Sequence, residues 1–99
     1  MNPEDLSKVP SADVLEQAHN FPCRYTIKII GDSTPAFTHA IRQVMQGQGT
    51  NTRPYESIER ASQSGRHSAY TLRWVANSAQ EVQEVYLDLQ HIAGVRFLI

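Results

Sequence analysis

From Cys23 to Ile30 the chain alternates with a period of two. Cys23, Tyr25, Ile27 and Ile29 fall on one side, Arg24, Thr26, Lys28 and Ile30 on the other. That spacing predicts a strand with one buried face, stopped by Gly31. The period then changes. Phe37, Ala40, Ile41, Val44 and Met45 recur three and four residues apart, which predicts an amphipathic helix ended by Gly47 and Gly49. A loop at "GTNTRP" leads to a second strand from Tyr55 to Ser62, whose polar, poorly alternating composition suits a sheet edge. "SQSGR" is a hairpin turn signal, and a third strand from His67 to Ala76 sets Tyr70, Leu72 and Trp74 against Thr71, Arg73 and Val75. Ser78 and Glu81 have the spacing of a capping box that opens a second helix. Val82, Val85, Tyr86 and Leu89 form its apolar stripe, with Glu81, Glu84 and Asp88 outside and His91 in the last turn, where a cation suits the helix dipole. Gly94 closes this helix, and Val95, Phe97 and Ile99 are expected to point inward from a final strand.

The order is β-α-β-β-α-β. Two right-handed crossovers onto one sheet give an α+β, ferredoxin-like sandwich: a four-stranded antiparallel sheet with two helices on one face and strands one and three in the centre. This domain covers residues 21–99. Residues 1–20 contain Pro3, Pro10 and few large apolar groups, and they are read as a flexible acidic tail that can dock. A short helix from Ser11, with Val14, Leu15 and Ala18 on one side, is marginal on its own.

Composition narrows the function classes. At 99 residues, with 40% hydrophobic and 19% charged side chains, the chain has the profile of an ordinary one-domain soluble protein. No apolar run reaches bilayer length, and "MNPEDLSK" has neither the basic nor the apolar region of a secretory signal, so a cytoplasmic location is the expectation. Cys23 is the one cysteine, which excludes an internal disulfide. Charge is segregated: Glu4, Asp5, Asp13 and Glu16 against Lys8 give residues 1–20 a net of −3, leaving +2 for residues 21–99.

Two places carry candidate chemistry. The first is the corner "GDST", Gly31, Asp32, Ser33 and Thr34. Thr34 before Pro35 reads as a helix N-cap with proline at the first helical position. The free N–H groups of such a helix start can hold an anion, while Asp32 suits an amino-acid ammonium. Capping alone explains the same residues. The corner has neither the cysteine pair of a metal-transfer domain nor the arginine of an acylphosphatase, and no cofactor motif occurs. The second place is the sheet face left uncovered by the helices. Arg24, Lys28, Arg73 and Arg96 are expected there, interleaved with Ile30, Val75 and Leu98. Mixed basic and apolar character suits a protein partner or a homodimer. Nucleic acid is a weaker fit, because Tyr25, Tyr70, Trp74 and Phe97 all alternate towards the core and leave no stacking platform. His19, His39, His67 and His91 have no metal or catalytic spacing and are read as solvated, Cys23 is read as a small buried thiol, and no enzymatic constellation is found.

Phe21-Pro22-x-x-Tyr25-x-x-Lys28-x-x-Gly31, followed by Pro35, resembles the start of the YbeD-like family of small bacterial proteins, and the element spacing agrees from residue 21 to residue 99. The hairpin departs from the family pattern, with His67 and Ala69 in the places of a tyrosine and a serine. The resemblance implies an ACT-like form of the sandwich. ACT domains are regulatory modules, often dimeric, and by that analogy Gly31, Asp32, Ser33 and Thr34 would hold a small metabolite at a dimer interface.

Overall fold

The computed structural model describes residues 9–47 and 53–99. Gly49, most of the loop read at residues 49–54, and the charges of Glu4, Asp5 and Lys8 lie outside the described residues. The elements are α1 (Ala12–Ala18), β1 (Cys23–Asp32), α2 (Pro35–Gln46), β2 (Tyr55–Ala61), β3 (His67–Ala76), α3 (Ala79–Gln90) and β4 (Val95–Leu98). The strands form one antiparallel sheet in the order β2-β3-β1-β4. The inward residues of the two central strands, Tyr25, Ile27, Ile29, Tyr70, Leu72 and Trp74, are buried beneath Phe37, Ile41 and Met45 of α2 and Val82, Val85 and Leu89 of α3. Period two in the sheet meets period 3.6 in the helices, and one core results.

Helix starts follow local chemistry. Thr34 Oγ1 accepts from the Phe37 N–H at 3.2 Å, and Ser78 Oγ accepts from the Glu81 N–H at 3.1 Å, each satisfying a donor the helix leaves over. The reciprocal arm of the expected capping box is redirected. Glu81 Oε2 accepts from the Asn77 N–H at 3.3 Å, and Oε1 accepts from the Trp74 indole at 2.9 Å and lies 3.5 Å from Arg53 Nη1. Glu81 is therefore a fastener between α3 and the sheet, where the sequence placed it on a solvated face.

Within the segment read as a tail, residues 12–18 form α1, capped by Ser11, whose Oγ accepts from the Val14 N–H. Leu15 enters the core at 2% exposure, while Val14 faces solvent. The Phe21–Pro22 peptide bond is cis. His19 then lies with its ring centroid 5.0 Å from that of Tyr25, and Gln83 Nε2 on α3 donates to the Pro10 carbonyl at 3.0 Å. α1 thus packs on the helical layer, and Asp13 and Glu16 do not lie over the open face of the sheet.

The expectation that Gly31 stops the strand and so turns the chain is corrected. β1 runs on to Asp32, paired with His67, and the φ of Gly31 is not positive. Glycine is required for a different reason. A Cβ at this position would fall on the Phe37 ring and 2.8 Å from the Gly94 carbonyl oxygen. The β1–β4 register also shifts at this point. Ile30 pairs with Phe97 and Gly31 with Val95, leaving Arg96 as the extra residue of a β-bulge.

That bulge reverses the expected phase of β4. Leu98, opposite Ile29, packs against the core with Val95. Phe97 and Ile99 point away from it, at 62% and 70% exposure. The inward assignment of Phe97 and Ile99, and the outward one of Leu98, are thus overturned. One inserted residue changes the face of every residue after it.

Candidate functional site

The corner at residues 31–34 is closed by its own hydrogen bonds. The Asp32 N–H donates to the Gly94 carbonyl at 3.1 Å, the Ser33 N–H to the Arg66 carbonyl at 3.0 Å, and the Thr34 N–H to the Asp32 carbonyl at 3.0 Å. Ser68, buried, donates its hydroxyl to Ser33 Oγ at 3.0 Å. Thr38 Oγ1 and the Tyr70 hydroxyl share a hydrogen bond of 2.6 Å, so the helix start is also tied to the sheet. Burial raises the Tyr70 hydroxyl pKa, with the hydrogen bond from Thr38 acting in the opposite direction. Asp32 points to Arg96, Oδ1 to Nε 3.4 Å. The N–H groups of Asp32, Ser33, Thr34 and Phe37 are thus committed within the chain, and the carboxylate an ammonium would use already has a cation.

The open face of the sheet offers more. Residues directly opposite each other on antiparallel strands present their side chains to the same face, so the register places the surface row by row. Arg24 lies beside Val75, and Glu56, Arg73 and Thr26 form the next row. Ile58, Thr71 and Lys28 follow, and Ile99 joins them through two backbone hydrogen bonds with Lys28, 3.0 and 2.8 Å. Arg60, Ala69, Ile30 and Phe97 make a fourth row, and His67 lies beside Asp32 at the end. All four expected basic residues therefore converge on one face: Arg24, Lys28 and Arg73 by register, and Arg96 from the bulge beside Asp32. The corner residues Gly31, Asp32, Ser33 and Thr34 lie at one end of this surface.

Large apolar side chains interrupt the charges. Ile58 and Val75, at 53% and 59% exposure, share the face with Phe97 and Ile99. Two hollows indent it. One, of about 430 Å³, is lined by Ile30, His67, Arg96 and Phe97. The other, of about 180 Å³, lies at the far end among Arg24, Tyr55, Glu56, Arg73 and Val75. A third hollow of about 620 Å³ lies on the helical side between α2 and α3, but Arg53 on its rim is bonded to Glu81.

Several contributors were not read from the sequence. Arg60 and Ile58 belong to this surface because β2 pairs with β3 in that register, and β2 is too polar for its facing to be legible. Phe97 is there because of the bulge. The histidines are also corrected: His19 is half-buried against Tyr25, and His67 is half-buried at the hollow beside Phe97. Cys23 is half-buried at the start of β1. Among the described residues, no group of three or more His, Cys, Asp or Glu side chains could hold a metal ion, and no helix is long and apolar enough to cross a membrane.

Element order, strand order and the uncovered face define a ferredoxin-like α+β domain. The solution structure of protein HP0495 from H. pylori has the same fold, with a TM-score of 0.70 over 100% of this chain and 96% of that one, at 17% identity. Residues 16–99 match the family described as "Protein of unknown function (DUF493)", and the chain belongs to that family. A relative from Chromobacterium violaceum, named UPF0250 protein, is 30% identical over 79% of this chain and 88% of its own length. Another UPF0250 protein, from Vesicomyosocius okutanii, is 26% identical over 85% of this chain and 91% of its own. The YbeD-like resemblance of residues 21–99 agrees with this membership.

Proposed function

We propose that the protein is a non-enzymatic binding module of regulatory or adaptor type whose contact surface is the open face of the sheet. One observation carries the reading: Ile58, Val75, Phe97 and Ile99, each more than half exposed, lie on a single face and are interleaved with Arg24, Lys28 and Arg73. Scattered exposed apolar residues are ordinary, but four large ones gathered on one sheet face among cations suit a protein contact better than solvent alone. The competing reading, an amino acid held at residues 31–34 of a dimer, is less well supported because the N–H donors of Asp32, Ser33 and Thr34 are already used.

Affinity capture from a bacterial extract tests the proposal. The unaltered chain is compared with an Arg24→Glu/Arg73→Glu double variant and with Ser33→Ala at the corner. Loss of a captured protein with the first variant and retention with the second is the expected result. The opposite pattern would transfer the site to the corner.

A further inference from the structure

Charge and shape on the open face together describe its occupant. The hollow at Arg24 and Arg73 is cationic with one carboxylate, Glu56, beside it. The hollow at the other end is apolar on Ile30 and Phe97, with Arg96 at its rim. Lys28 and Arg60 lie between. The other acidic side chain of the face, Asp32, is paired with Arg96. Arg24 and Ile30 are six residues apart on β1, so the hollows are separated by about 20 Å at roughly 3.3 Å per residue.

Resting on the reading of this face as the contact surface, we infer that its occupant is an acidic, extended segment of another polypeptide, held at two points. A carboxylate sits between Arg24 and Arg73, and a large apolar side chain fills the hollow beside Phe97. An extended segment turns alternate side chains to the same side, so residues about six apart can serve both points from one face. A second copy of the chain fits less well, because an isologous contact would bring this excess of cations against the same excess. Nucleic acid would satisfy the cations but not Ile58, Val75 and Ile99. Base stacking needs a run of flat rings, and among the described residues the rings lie at the two ends, Phe97 and His67 at one hollow and Tyr55 at the other, with none on the rows between.

Selection of displayed random peptides on the full-length chain tests this, with peptides long enough to span both hollows. Recovered sequences should carry Asp or Glu about six positions from Leu, Ile, Phe or Trp. A labelled representative should bind at least about tenfold more weakly to Arg24→Glu/Arg73→Glu and to Phe97→Asp, the cost of leaving charged or apolar groups unmatched. All three positions face outward on the sheet, so the thermal melts of the variants should stay close to that of the parent chain. Basic or uncharged recovered peptides, no enrichment, tighter binding of a uridine oligonucleotide, or a dimer in sedimentation that Phe97→Asp abolishes would each overturn the inference. Amide shift mapping separates the two levels. Neutral peptides that map to the open face overturn the acidic occupant and leave the contact surface standing. Acidic peptides that map to the α2–α3 groove overturn both.

Discussion

Single side chains in this protein do work that their residue type conceals. Gly31 is one: its missing Cβ makes room for the Phe37 ring and the Gly94 carbonyl. Gly31→Ala should therefore destabilise the fold by about 1–3 kcal/mol, the range for overpacking a tight core, as measured by urea unfolding. An unchanged midpoint would show that Phe37 can move aside. Glu81 is another. Glu81→Ala strips the indole of Trp74 of its acceptor, which should cost about 1–3 kcal/mol and shift the emission of this sole tryptophan. Tyr86 shares a buried hydrogen bond of 3.2 Å with Tyr25, and burial first, then that bond, pushes its pKa far above the ordinary value. Above pH ~10 the unfolded chain releases this proton while the native chain keeps it, so stability falls as pH rises. Tyr86→Phe should lose about 1 kcal/mol at neutral pH, yet decline less steeply in alkali. Denaturant midpoints between neutral pH and the alkaline range check both statements.

At the level of elements, β1, β3, α2 and α3 were legible because each has one strong period, Tyr25, Ile27 and Ile29 on one side or Val82, Val85 and Leu89 on one stripe, and the two helices also have a cap at Thr34 and Ser78. β4 was not. Val95, Phe97, Leu98 and Ile99 are apolar in both phases, so only the bulge at Arg96 decides which face each takes, and a bulge leaves no mark in composition. β2 was placed correctly as an edge, but the facing of Glu56, Ile58 and Arg60 depends on pairing with β3. The corner at Gly31 to Thr34 shows the converse. Its caps were readable, while the commitment of its donors to Arg66 and Gly94, distant in sequence, was not. α1 is short enough to be marginal in isolation and is held by Leu15. Leu15→Ala should cost about 2 kcal/mol and lower the melting temperature by roughly 10 °C, read by circular dichroism. A loss near zero would mean that α1 contributes nothing to the core.

Across the whole molecule the two faces of the sheet have opposite characters. One is sealed by three helices; the other is open, cationic and apolar together, with a hollow at each end. α1 docks among the helices, so nothing in the described residues of the N-terminal segment covers the open side. Partner binding there should weaken as salt is raised, since exposed charges are screened within about 10 Å at 0.1 M ionic strength. The Ile58, Val75 and Phe97 contribution should persist at high salt. The most direct test of the contact surface is an amide-resolved NMR titration of the full-length labelled chain with a partner purified by capture. Shifts should concentrate at Arg24, Lys28, Arg73, Val75, Phe97 and Ile99, with the corner at residues 31–34 and the outer surface of α3 little changed. Shifts confined to that corner or to the helices, with the sheet face silent, would contradict it.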